Sequence, residues 1–249
     1  RARAKLCENR LQDVSSAITS WEQSLTVDPD DTDTLKALTR LYEQGEHWRD
    51  LIRILELRVD LEPDAFELRV RLGELIIQVH DDVARAIDQW KQVLLDEPAQ
   101  ESAQRRLEEY LNQPQFTADL AVVLEPIYKD QAQWTQLINL NHALLNEQVT
   151  TDPFRREEIW SDIGEIHSNE LSDPVKALEA LSEAFRINPG EIELRDRVFQ
   201  LVDNQEAWTN FIPHLKEGLS VLSDPELLVE DHLRLARWLE EYVSDVEGA

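Results

Sequence analysis

One eighteen-residue sentence is written three times in this chain: QDVSSAITSWEQSLTVDP from Gln12 to Pro29, DDVARAIDQWKQVLLDEP from Asp81 to Pro98, and SDPVKALEALSEAFRINP from Ser172 to Pro189. Asp stands second, Ala sixth and Pro last in each copy. The apolar residues between follow a helical period, as in Ala86, Ile87, Trp90, Val93 and Leu94 or Ala177, Leu178, Leu181, Ala184, Phe185 and Ile187. A helix of about 14 residues is marginal alone in water, so each stripe must be buried against neighbouring helices. The small Ala lets a partner helix come close, and the closing Pro stops the helix so that the chain turns. Asp173 before Pro174 is a start signal, the acid capping free N–H groups and the Pro fitting the first turn. It recurs at Asp152-Pro153 and Asp224-Pro225.

A fourth copy opens at SDVEGA, Ser244 to Ala249, and RARAKLCENRL at the other end occupies the place of the helix that precedes each copy. Both ends read as cuts through a longer array, each presenting an apolar face that implies end-to-end self-association. The landmark alanines at 17, 86, 177 and 249 are 69, 91 and 72 residues apart, a double unit of about 70 residues or two helical hairpins of about 35. Between the copies lies a second kind of unit: LTRLYEQGEHWRDLIRIL, LEPIYKDQAQWTQLINL and VFQLVDNQEAWTNFIPHL. Ala17 to Trp48 and Ala177 to Trp208 both span 31 residues, whereas Ala86 to Trp134 spans 48. The excess of 17 falls at Glu101 to Phe116, read as an extra helix ending near Pro114 that redirects the superhelical path. With only six Gly and few β-branched runs, the chain reads as almost continuous helix.

These residues resemble the tetratricopeptide repeat. Trp160, Ile163, Gly164, Ala177, Leu181, Ala184 and Pro189 fit its pattern, with His167 in the place of an aromatic; so do Leu72, Gly73, Ala86, Trp90 and Pro98, and then Leu38, Tyr42, Leu55 and Pro63. The alternation of LEPIY…W and DP..A units also resembles degenerate arrays of large bacterial proteins. The resemblance implies an all-α fold, an α-solenoid of antiparallel helical hairpins forming a right-handed superhelix whose first helices line a concave wall. It implies a single array over residues 1–249, with repeats at about 1–29, 32–63, 66–98, 117–150, 154–189 and 191–222, an irregular helix at 100–114 and a truncated repeat at 225–249.

Fifty-one Asp and Glu against 25 Lys and Arg leave a formal charge of −26. Such a surface repels phosphate backbones and anionic lipid, which excludes nucleic acid as a partner and leaves a basic protein segment as one that fits. No apolar run is long enough to span a bilayer. Cys7 is the sole cysteine, so no internal disulfide or thiolate metal cage forms, and it reads as a packing residue; a cytoplasmic location is the expectation. His47, His80, His142, His167, His214 and His232 stand singly, without metal-ligand spacing, and read as ordinary helix or turn residues. No Gly-rich phosphate loop is present, and the expectation is no enzyme, no cofactor and no metal. Trp21, Trp48, Trp90, Trp134, Trp160 and Trp208 fall at recurring apolar places and Trp238 in a stripe with Leu235 and Leu239, so core packing is expected of all seven.

Carrying over the groove-facing places of the family gives Arg40 and Gln44, Glu74 and Gln78, Glu165 and Asn169, then Gln200 and Asn204. The basic set with which chaperone-binding members clamp a terminal carboxylate is missing. Glu, Gln and Asn on such a wall suit a basic or polar segment of another protein. The expectation is therefore a non-catalytic interaction scaffold holding a peptide or helix of a partner on its concave surface. The alternative is a regulatory or sensor module acting on an effector domain elsewhere in the same polypeptide.

Overall fold

The computed structural model of the chain describes residues 14–205 and 207–240. Cys7, the expected helix around Ala4 and the fourth copy at Ser244 lie outside the described residues. Within them run thirteen helices and no strand: α1 (Val14–Val27), α2 (Thr32–Gln44), α3 (Trp48–Leu61), α4 (Phe66–His80), α5 (Val83–Asp96), α6 (Glu101–Glu108), α7 (Pro114–Asp130), α8 (Trp134–Leu144), α9 (Pro153–Glu165), α10 (Pro174–Ile187), α11 (Ile192–Gln205), α12 (Trp208–Val221) and α13 (Pro225–Trp238).

The repeated sentence folds as its chemistry dictates. Its three copies become α1, α5 and α10, each ending two residues before the final Pro. Ala17, Ala86 and Ala177 are fully buried. Asp82 accepts from the Arg85 N–H at 3.1 Å and Asp173 from that of Lys176 at 3.1 Å, satisfying donors that the first helical turn leaves free. The other two Asp-Pro starts do likewise, Asp152 accepting from Phe154 and Asp224 from Glu226 and Leu227.

Within each unit, helices that follow one another pack together, and the pairs α4/α5 and α9/α10 meet most closely. Both contain a Leu/Ile-Gly pair on the first helix. A Cβ on Gly73 would come within 3.0 Å of the Trp90 indole, and one on Gly164 within 3.0 Å of Leu181. The missing side chains are therefore what let these hairpins close, and Trp90 completes the contact by donating to the Val70 carbonyl at 3.1 Å. The turns from first to second helix share one conformation. Glu46, Asp81, Ala132 and Ser172 adopt positive φ of 52–55°, each two residues before its second helix begins.

Contacts divide the chain into two compact units, Arg1–Tyr110 and Leu111–Ala249. The division falls inside the segment expected as an irregular helix at 100–114. That helix, α6, stops at Glu108, and Pro114 opens α7 instead of ending α6, because a proline at the first helical position sacrifices no hydrogen bond. Each unit is a stack of antiparallel helical hairpins. In the second unit, Phe185, Phe199, Phe211 and Trp238 meet edge to face around the buried Val198, Val202 and Leu215. Arg195 on α11 is enclosed in this core. It donates to both carboxylate oxygens of Asp231 on α13, at 2.9 and 2.6 Å, and to the Pro189 carbonyl at 2.9 Å.

Core packing, expected of every Trp, describes Trp21, Trp90 and Trp238, which are 1–3% exposed. Trp160 and Trp208 are only partly buried but still pack against the core of the second unit, whereas Trp48 and Trp134 are only partly buried. Trp48, Trp134 and Trp208 each open a second helix, and the first turn of a helix lies at the edge of the packed stripe, so part of the indole remains facing solvent.

Candidate partner-binding site

The residues carried over as groove-facing all lie on first helices, as the repeat pattern requires, but their surroundings differ. In the first unit, Arg40 and Gln44 are exposed on α2, and Gln78 on α4. Glu74 on α4 is half-buried and already engaged. It pairs with Arg71 on its own helix at 3.1 Å and with Arg106 on α6 at 2.5 Å. Arg71 reaches Glu43 on α2 at 3.7 Å, and Arg106 also holds Glu109 at 2.9 Å. An alternating ladder, Glu43, Arg71, Glu74, Arg106 and Glu109, thus ties α2, α4 and α6 together. Around α1 a second tie runs the same way: Glu22 accepts from the Tyr42 hydroxyl at 2.5 Å and pairs with Arg53 on α3. Burial, with the neighbouring Glu22 carboxylate, pushes the Tyr42 phenol well above its usual range.

In the second unit, Glu165 and Asn169 come together in a cleft of about 350 Å³ between α7, α8 and α9. Asn169 lies in a single π-helical turn, Ile166–Glu170, that continues α9 and is closed by the Leu171 N–H donating five residues back to the Ile166 carbonyl at 3.1 Å. Trp134, Leu137 and Ile166 give the cleft an apolar floor, and Glu125, Lys129, Asn141, Asp162 and Glu170 complete its lining. Two of its four carboxylates have basic partners, Glu125 with Lys129 at 2.7 Å and Glu165 with Arg197 of α11. Asp162 and Glu170 form no ion pair among the described residues. Although the Asp162 side chain reaches solvent, the cleft walls strip water from its carboxyl and push it above the ordinary carboxylate range; Glu165 and Glu125 push the same way, against Lys129 and Arg155. Gln200 and Asn204 are exposed on α11, outside this cleft.

Sequence reasoning missed Asp162, Asn141 and Trp134 as cleft residues, since the family pattern marks only places on the first helix one turn apart. It also treated each histidine alone. His142, His167 and His214 line one cavity of about 380 Å³ with Trp160, Ile163, Lys176, Glu179, Ala180 and Glu183. The His142 ring meets Trp160 edge to face at 5.6 Å, and Nδ1 of both His167 and His214 is buried without a hydrogen-bond partner. Burial lowers the proton affinity of His142, with a further push from His167; burial likewise lowers that of His167, against the pull of Asp173. Among the described residues, no group of three or more His, Cys, Asp or Glu is placed to hold a metal ion. None of their helices is long and apolar enough to cross a membrane.

No family model matches the chain, and no curated protein matches it. Solved structures do. MamA is 14% identical, with 97% of this chain and 92% of that one covered and a TM-score of 0.31. The TPR2AB domain of yeast Sti1, solved in complex with an HSP90 peptide, is 11% identical over 99% and 95% of the two chains, with a TM-score of 0.33. PilF of Pseudomonas aeruginosa is 13% identical over 86% and 87%, with a TM-score of 0.29. The helical hairpins resemble those of the tetratricopeptide repeat. That likeness is carried by the buried alanines, the Gly73 and Gly164 contacts and the helix-ending prolines of this chain.

Proposed function

We propose that the chain is a non-catalytic, cytoplasmic protein-interaction scaffold that holds a segment of another protein along the exposed faces of its first helices, a basic or polar segment being the best match. The observation that carries this reading is the α7–α9 cleft, which joins an apolar floor to a rim of carboxylates and carboxamides. A partly exposed indole offers area to an aliphatic stem, and amides and acids offer hydrogen bonds to an extended backbone and to cationic groups. The net charge of −26 draws such segments in and discourages acidic ones. A segment tethered elsewhere in the same polypeptide would meet the same chemistry.

Selection of a random peptide display library on the chain tests this. Enriched sequences rich in Lys, Arg, Asn and Gln, whose binding is lost on Glu165→Lys combined with Asn169→Ala, support it. A selection that enriches nothing, or enriches peptides indifferent to both substitutions, refutes it.

A further inference from the structure

We propose that the α7–α9 cleft is a subsite for one cationic side chain, lysine or arginine, of an extended partner segment, its stem lying on Trp134 and Leu137 and its head between Asp162 and Glu170. This rests on the scaffold reading above and names what the scaffold grips.

Three features of the molecule lead there. The first is charge left over after internal pairing: Lys129 is committed to Glu125 and Arg197 to Glu165, while Asp162 and Glu170 form no ion pair among the described residues. An arriving cation offsets the water that the Asp162 carboxyl has lost and the repulsion of its acidic neighbours.

The second is Asn141 on α8. It is 5% exposed, its carboxamide makes no hydrogen bond among the described residues, and the little of it that is accessible opens into the cleft. Water meets this amide in the open cleft, and a ligand group of matching polarity can take that water's place. The backbone amide of an extended segment, or a guanidinium, provides the matching group.

The third is how the chain treats comparable first-helix acids elsewhere. Arg106 sits between Glu74 and Glu109, and Arg71 between Glu43 and Glu74. An arginine head between two acids is the arrangement by which α2, α4 and α6 satisfy one another. At Asp162 the chain supplies no such head, and a floor of Trp134, Leu137 and Ile166 stands open beside it.

Titration of the chain with the N-acetyl, N-methylamide derivatives of arginine, lysine, citrulline and norleucine, followed by NMR at the Trp134 indole N–H and the Asn141 carboxamide, tests the subsite. Arginine and lysine are expected to shift both signals saturably, and Asp162→Asn to weaken the apparent affinity about tenfold, the size of one hydrogen bond to a charged group. Asp162 lies on the surface, and an unchanged melting curve for the variant shows that the fold is intact. Equal shifts with citrulline or norleucine, or insensitivity to Asp162→Asn, overturn the cation subsite. If none of the four compounds perturbs the cleft while displayed peptides still bind in a Glu165-dependent way, the subsite fails and the scaffold stands. If displayed peptides fail as well, both fall.

Discussion

The two units place similar acids on first helices and arrive at different surfaces. In the first, Glu74 is held by Arg71 from its own helix and by Arg106 from α6, so the acid is spent on joining helices. In the second, Asp162 lies among Glu125, Glu165 and Glu170 with no ion pair among the described residues. Acid content alone therefore does not mark a binding face. What decides is whether an arginine stands one repeat away, as Arg106 does 32 residues after Glu74 and Arg53 does 31 after Glu22. A carboxylate so matched is tied into the framework, as Glu165 also is by Arg197, and one left unmatched beside an aromatic keeps its charge uncompensated.

The sharpest way to test that distinction is to break ties of each kind. Asp231→Ala leaves the Arg195 guanidinium, 4% exposed, unpaired in the aromatic core of the second unit and should cost about 3–5 kcal/mol in urea denaturation. A loss below about 1 kcal/mol, the worth of a surface pair, would show that this bond is as dispensable as an exposed one. Next in size is Gly73→Ala. Its new methyl meets the Trp90 indole and should cost about 1–3 kcal/mol by overpacking, whereas Gly190→Ala, whose nearest neighbour is Leu222 at 3.7 Å, should leave the melting temperature unchanged.

Arg106→Gln sharpens the comparison from the other side. Because the pair is substantially exposed, the stability change should stay below about 1 kcal/mol. Yet Glu74 keeps only Arg71 of its own helix and Glu109 loses its Arg106 partner, and the α4–α6 face should begin to respond to the arginine derivative in the same NMR titration. Silence there would mean that an unmatched acid is not sufficient, and that the Trp134 floor is required.

The smallest effect is expected with pH, and only in the second unit. His142 and His167 have folded proton affinities below their ordinary value of 6.5, so the unfolded chain takes up protons first as the solution is acidified. Their contribution to stability is complete above that value and declines as pH falls from it toward the lower folded values. The groups facing them include His214 on α12 and Lys176, Glu179 and Glu183 on α10. Melting curves between pH 5 and 7.5 should show the decline in wild type and its reduction in His142→Gln; a flat profile would count against the cavity as the source.

Much of the framework was legible because it is written locally. The Asp caps, the sixth-place Ala and the final Pro act within one helix and its turns, and they predicted α1, α5 and α10 closely. Glu165 and Asn169 could likewise be placed on one face from their spacing of four. The rest of the cleft comes from three helices. Asn141 and Trp134 belong to a second helix, and Asp162 precedes Glu165 by three residues at a place the repeat pattern does not single out. The engagement of Glu74 depends on α6, the one helix outside the regular alternation. Two signals were present and went unused: opposite charges about thirty residues apart, and Trp at the opening position of a second helix instead of the middle of its stripe.

The four left-handed corner residues carry a consequence of their own. Glu46, Asp81, Ala132 and Ser172 have little in common as side chains, and none is the glycine that this backbone geometry favours. The bend must then be dictated by the helices on either side, which leaves its tip chemically uncommitted. Those tips are natural points for attaching a fluorophore or grafting a short epitope, because the identity of the residue there has so little say in how the hairpin closes.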